Sequence, residues 1–350
     1  MQLIEISDLV VDHSPGTHDR LPVRRDEVVA RLTAAGDRRG ARIAAGLACD
    51  ADGVLDPAAV DRRLVAVHTE LQRLSEELRL GERIADLLRP LLAVIRAADP
   101  AAGRLRVVDV GCGLGHLVRW LAASGALGPD VDLLGVDFNA ALVTEADRLA
   151  RDEGLDCRFV QGDAFALGPA AEVVSAPRRA GAPGERPGTP GPSKGPSDPQ
   201  AVAEPTTVYV STGVLHHFRG PDLEAFFAAQ ATPGTAAFCH FDIAATSLAP
   251  VGAWIFHRAR MRDPLGRHDG VVSARRAHDD ETLLSAAAHA EGMVPLVYEP
   301  RGRSSPFCTT IRPVVGLRPA LLPPLRAALG AAASSRLVGA PDKSLAGGAR

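Results

Sequence analysis

Within residues 105–121, an apolar run ending in an acid, three alternating glycines and an amphipathic segment follow one another without a gap. Leu105 to Val110 is short and rich in β-branched side chains, as a strand buried on both faces requires. Behind the glycines, Leu117, Val118, Trp120 and Leu121 recur at helical spacing. The order is strand, tight loop, helix. Glycines at 111, 113 and 115 let the main chain turn sharply and approach a ligand, because no Cβ intervenes. The expected ligand lies against bare backbone at a helix N-terminus.

Two ligand classes use such a turn. The dinucleotide fingerprint requires Gly-x-Gly-x-x-Gly, and His116 stands where its third glycine belongs. Asp109-x-Gly111-x-Gly113-x-Gly115 instead resembles the first motif of the class I S-adenosylmethionine-dependent methyltransferases. The resemblance runs from about residue 104 to 317. It implies an α/β fold with a doubly wound, mostly parallel, seven-stranded Rossmann-like sheet. It also implies S-adenosyl-L-methionine as cofactor, held by Asp109, Gly111, Cys112, Gly113 and Gly115.

Later segments fall in the order of that family. Val131 to Val136 is a second apolar run, and Asp137 follows it 24 residues after Gly113, about where an acid at a strand tip meets a ribose. A carboxylate can accept from both hydroxyls of a diol. Capping the next helix, Asn139 to Gly154, is the other reading of Asp137, and both hold if Asn139 takes the cap. The resemblance sets Phe138 beside the adenine. After a third short strand, Cys157 to Val160, it makes Asp163 the acceptor of the adenine amino group and Ala164 the backbone donor to the ring.

Thr207 to Ser211 resumes the sheet, and Leu215-His-His-Phe218 follows its end, where ligands of doubly wound sheets bind. This sequence is similar to the same position in small-molecule O-, C- and N-methyltransferases, and differs from the Asn-Pro-Pro-Tyr type that acts on adenine amino groups. His217, then His216, are the candidate bases for an acceptor that must lose a proton, with His257 a third. Packing with a backbone hydrogen bond is the alternative for His216. A fifth strand, Ala236 to Asp242, also ends in an acid.

The flanks suggest a cap and a lid. Residues 1–100 read as an N-terminal helical cap. Asp56-Pro57 opens a helix whose stripe of Val60, Leu64, Val67, Leu71, Leu74 and Leu78 stops near Gly81, and Pro90 is expected to kink the next helix. The stripe either packs on the following domain or pairs two copies in a homodimer. Residues 101–317 read as the methyltransferase domain, with two insertions. Residues 175–205, with eight prolines and five glycines, are expected to be disordered. Residues 244–277, apolar and rich in arginine, are expected to cover the substrate, with Trp254, His257 and Arg258 as its contacts. Val294 to Tyr298 and Cys308 to Val315 are expected to form the closing hairpin, and residues 318–350 a short helix and a flexible tail.

Charge and cysteine content narrow the function. The 350 residues carry a net charge of −3, which weighs against nucleic acid and acidic membranes as partners. The five scattered cysteines include no Cys-x-x-Cys pair, no His, Asp or Cys spacing suggests a metal, and no apolar run is long enough to span a bilayer. A cytoplasmic enzyme methylating oxygen or carbon of a small molecule is the leading expectation. An RNA or protein methyltransferase, supported by the arginine-rich insertion, and a non-catalytic scaffold of the same fold are the alternatives.

Overall fold

A computed structural model of the chain describes residues 3–14, 19–100, 104–167, 205–298 and 311–339. The N-terminal region contains α1 (Ser7–Val10), a two-stranded antiparallel pair of β1 (Asp12–His13) and β2 (Arg20–Leu21), α2 (Arg25–Ala34), α3 (Arg38–Ala45), α4 (Pro57–Glu77) and α5 (Leu80–Ala98). Asp56 caps α4 by accepting from the N–H groups of Ala58 and Ala59, with Pro57 in the first turn. Val60, Leu64, Val67 and Leu74 are buried and join a cluster with Leu114, Leu142, Met261 and Leu265 of the same chain. The stripe is therefore used within the chain.

One break differs from the expected one. α4 ends at Glu77 with Leu78 as its C-cap, Arg79 takes a left-handed conformation (φ 53°), and Gly81 lies inside α5. A Cβ on Gly81 would stand 2.4 Å from Cδ2 of Trp120, so this glycine marks a close approach and not a helix stop. Pro90 lies within α5, which runs through it without interruption.

The sheet then builds from β3 (Leu105–Val110), α6 (His116–Ser124), β4 (Val131–Asp137), α7 (Ala140–Asp152), β5 (Arg158–Gln161), β6 (Thr206–Thr212), α8 (Pro221–Ala228) and β7 (Thr235–Ile243). Next come α9 (Ala249–Arg260), α10 (Pro264–Arg276), α11 (Asp280–Ala287), β8 (Val294–Tyr298), β9 (Ile311–Leu317), α12 (Leu322–Leu329), α13 (Ala331–Ser334) and β10 (Leu337–Gly339). The strand order is β10-β8-β9-β7-β6-β3-β4-β5. β3 to β7 are parallel, whereas β8, β9 and β10 join antiparallel.

The sheet is thus mixed and eight-stranded, against the expected seven. The added strand is Leu337–Gly339, which pairs with β8 where the sequence suggested only a tail. Three apolar residues carry too little pattern to announce a strand, and a free sheet edge supplies the partner. The Pro/Gly-rich stretch 175–205 lies outside the described residues except for Pro205, as do the hairpin turn after Tyr298, Cys308 and the chain beyond Gly339. No helix among the described residues is long and apolar enough to cross a membrane.

Chain order reverses between β3 and β6, which places a crevice outside their carboxyl ends. An ion ladder ties the strands on the β5 side of that point. Asp132 of β4 accepts from Arg106 of β3 at 2.9 Å and from Arg158 of β5 at 2.8 Å, and both Asp132 and Arg106 are largely shielded from solvent. Removing the carboxylate leaves two guanidinium groups facing each other, so Asp132→Ala is expected to cost about 3 kcal/mol. Urea unfolding of the substituted chain measures it, and a loss under about 1 kcal/mol would mean the ladder is solvated like a surface pair.

Candidate functional site

The glycine loop hangs from the neighbouring strand. The N–H groups of Gly111 and Cys112 both donate to the carbonyl of Val136, at 2.8 and 3.1 Å. Asp137 accepts from Gly113 N–H through Oδ2 at 2.7 Å and from Asn139 N–H through Oδ1 at 2.9 Å. Asn139 in turn caps α7 through Ala141 and Leu142. Gly111, Gly113 and Gly115 all have positive φ. A Cβ on Gly113 would stand 2.6 Å from Nδ1 of His68, so bare backbone here admits a side chain of the cap against the loop. A Cβ on Gly115 would stand 2.1 Å from Phe159, which makes Gly115 a packing glycine turned from the crevice.

Asp109 sits at the floor. It is buried, and its Oδ1 has no hydrogen-bond partner. Burial, reinforced by the nearby Asp137, pushes its carboxyl up to about 8. Two acids facing one end of the crevice suit a cationic ligand, which would lower the cost of ionising Asp109. Thr212, at the end of β6, offers a second buried oxygen without a partner.

The cap narrows the crevice to a partly open cavity of about 740 Å³, within the usual size of a small-ligand site. Leu64, Val67, His68 and Leu71 of α4 form one wall, residues 5–13 a second, and α9 with α10 a third. Burial lowers the basicity of His68. Asp269 of α10 holds the N-terminal wall in place, since its two oxygens accept from the N–H groups of Ile6 and Ser7, both at 2.9 Å. His268 bridges Asp269 to Asp37 at 2.7 and 2.6 Å.

This wall brings Glu5 and Asp8 to the histidine pair. His216 is buried, and its Nδ1 and backbone N–H both contact Asp242, each at 2.9 Å. Burial raises the proton affinity of Asp242, but His216 outweighs it and holds that carboxyl below its usual range. His217 contacts Asp8 through Nδ1 at 2.8 Å. Nε2 of His216 lies 3.6 Å from Glu5 Oε1, and Nε2 of His217 lies 3.9 Å from Glu5 Oε2. Glu5 also accepts from Ser273 at 3.1 Å and from Arg276 at 3.4 Å. Burial pushes its carboxyl up to about 8, against the opposing pull of His217.

Asp109, Gly111, Cys112, Gly113, Asp137, Phe138, Ala164, His216, His217 and His257 all line the cavity. Gly115, Asp163, Trp254 and Arg258 do not. Asp163 instead accepts from Phe165 N–H within its own loop. Trp254 is half exposed and Arg258 is exposed, because one helix turn cannot face both ways. Ala253, Phe256 and His257 of α9 face inward, and their neighbours 254 and 258 point out. Sequence reasoning missed Glu5, Asp8 and His68. His68 interrupts the polar side of the α4 stripe next to Val67, and that was its one signal.

Comparison with known proteins adds the following. Residues 107–176 match the family model described as a methyltransferase domain. None of the curated proteins compared matches the chain. Among solved structures, magnesium protoporphyrin IX methyltransferase from Synechocystis PCC 6803 with bound S-adenosylhomocysteine is 17% identical, over 84% of this chain and 99% of that one, with a TM-score of 0.39. An S-adenosylmethionine-dependent methyltransferase from Clostridium acetobutylicum ATCC 824 is 11% identical over 72% and 98%, with a TM-score of 0.40. The plantazolicin methyltransferase in complex with S-adenosylhomocysteine is 12% identical over 74% and 94%, with a TM-score of 0.41. At these identities and scores the likenesses carry no argument about substrate.

The raised affinity of Asp109 for its proton makes a stability prediction. A carboxyl whose folded value is raised stabilises the fold at low pH and loses that contribution as pH climbs through the folded value of about 8. Between these limits the slope is about −1.4 kcal/mol per pH unit. Asp109→Asn is therefore expected to make the ligand-free chain more stable at pH 7.5 than the parent, and to bring the two together near pH 4. Urea midpoints at both pH values test this, and a parent as stable as the variant at pH 7.5 would show that Asp109 is solvated.

Proposed function

We propose that the chain is a class I S-adenosylmethionine-dependent methyltransferase and that it methylates an oxygen or carbon of a small-molecule acceptor held in the 740 Å³ cavity, a reading supported by the match of residues 107–176 to a methyltransferase domain. The cavity itself carries this reading. Three walls from sequence-distant segments stand around the glycine loop, and a partly covered cavity of this size suits a small molecule better than the long open groove an RNA or protein acceptor needs. The arginines expected to support such an acceptor divide between two roles. Arg276 is buried in ion pairs with Glu5 and Asp8, and Arg258, Arg260 and Arg262 lie on the outer surface.

In this reading the cofactor lies along Gly111, Cys112 and Gly113, with Asp137 at its ribose and Phe138 and Ala164 about its adenine. When bound, S-adenosylmethionine supplies a methyl group on a cationic sulfonium, a leaving group that needs no acid. The orphaned oxygen of Asp109 and the acid pair Asp109 and Asp137 fit a cation at this end of the cavity. The protein's contribution to rate is then mainly positioning, since displacement needs an acceptor in line at about 3 Å. Proton removal belongs to the opposite corner, where Asp242 and Asp8 fix His216 and His217 with their Nε2 atoms toward the cavity.

Two substitutions test the two ends separately. Asp137→Ala removes a charged acceptor of two backbone donors and is expected to weaken S-adenosylhomocysteine binding by tenfold to a hundredfold in calorimetry. No binding by the parent chain would return the scaffold reading. His217→Ala is expected to leave that binding within a few-fold and to lower turnover of an identified acceptor by 10²- to 10⁴-fold. Unchanged turnover would remove the histidine pair from the chemistry.

A further inference from the structure

At the histidine corner, the ring edges of His216 and His217 and the carboxyl of Glu5 face one another without a hydrogen bond among them. The Nδ1 atoms of His216 and His217 are engaged by Asp242 and Asp8, which assigns the ring protons to Nδ1 and leaves a lone pair on each Nε2. Both Nε2 atoms point at the carboxylate of Glu5, at 3.6 and 3.9 Å. Neither distance is a hydrogen bond. The three ligating atoms lie within 4.8 Å of one another.

We propose that Glu5, His216 and His217 bind a divalent transition-metal cation, and that the acceptor reaches this ion through a hydroxyl or enol oxygen. Two imidazoles and a carboxylate are a ligand set for zinc or ferrous iron, whereas magnesium and calcium prefer oxygen throughout. Around an ion with bonds of about 2.0–2.1 Å, tetrahedral ligand atoms stand roughly 3.3 Å apart, so atoms now within 4.8 Å of one another need at most about 1.5 Å of closure, within reach of side-chain rotation.

The surroundings match a metal site beyond its three ligands. Metal-bound histidines commonly donate their other ring N–H to a carboxylate, and both do so here. Ser273 and Arg276 orient the Glu5 carboxylate through hydrogen bonds to its Oε1. The corner opens on the cavity, where a fourth position is available to the acceptor.

This inference rests on the methyl-transfer reading and specifies what the histidines do in it. An acceptor O–H bound to the ion loses its proton to water. The electron pair left on oxygen, or on a carbon conjugated with it, forms the new bond to the methyl carbon, and the S–CH₃ bonding pair stays on sulfur. The products are the methylated acceptor, S-adenosylhomocysteine and one proton. The imidazoles hold the ion and need not take the proton themselves.

The test uses the full chain, freed of metal with a chelator and titrated with Co²⁺. One equivalent is expected to bind, with visible d–d absorption that Zn²⁺ abolishes. Glu5→Gln and His217→Gln are expected to remove the absorption at one equivalent, and Asp8→Asn to weaken Co²⁺ binding by tenfold to a hundredfold. S-adenosylhomocysteine calorimetry on each variant confirms that the cofactor end is intact. A chain that binds S-adenosylhomocysteine but takes up no Co²⁺ at one equivalent overturns the proposal and leaves the methyl-transfer reading standing. So does uptake that all three variants retain, which would place the ion on other histidines. Stoichiometric Co²⁺ uptake without S-adenosylhomocysteine binding supports the ion site and strikes the methyl-transfer reading alone.

Discussion

Everything on the ligand side of the sheet depends on how the tip of β4 suspends the glycine loop. The Val136 carbonyl and the Asp137 carboxylate accept four backbone N–H groups, three from the loop and one from Asn139. A loop with three left-handed glycines has little conformational preference of its own, and glycine loses more freedom on ordering than any other residue. The neighbouring strand supplies the order that the loop lacks. Because the bonds come from β4 and not from β3, the loop position follows the pairing of those two strands, which the Asp132 ladder reinforces.

The opposite end of the cavity is built on different terms. The glycine loop is local, with its partners within thirty residues of one another, as the Gly113 and Asp137 pair illustrates. The histidine corner joins residues 5–8, 216–217, 242 and 269–276, and its contacts are carboxylates, Glu5, Asp242 and Asp269 buried and Asp8 nearer the surface, against imidazole and guanidinium groups. Such charges repay their desolvation only where every partner is in place. The cavity therefore joins a backbone-defined half to a half defined by side-chain electrostatics.

That division also decides what could be read from sequence. The strand, loop and helix around Asp109, the run ending in Asp137 and the cap at Asp56 were legible because each is a short pattern with one physical cause. Gly81 was misread because a glycine needed for contact with Trp120 looks the same in sequence as one that ends a helix. Trp254 and Arg258 were misassigned because composition shows that a segment is apolar and basic, but not which side of the helix faces in. Glu5 and Asp8 carried no pattern at all. An acid in a polar N-terminal stretch becomes notable only when Asp269, more than 260 residues later, accepts the backbone of Ile6 and Ser7.

The grip of Asp269 on Ile6 and Ser7 has a temporal side. A chain emerging from synthesis can form the β3 to β4 core and its glycine loop once residue 137 is out. Glu5 then still lacks Ser273 and Arg276, and residues 5–8 lack the carboxylate that holds them. Contacts of this sequence separation form late, because loop closure must precede any gain from them. The nascent protein thus has its glycine loop well before it has the wall that residues 5–8 form, so residues made before the loop find their place after it.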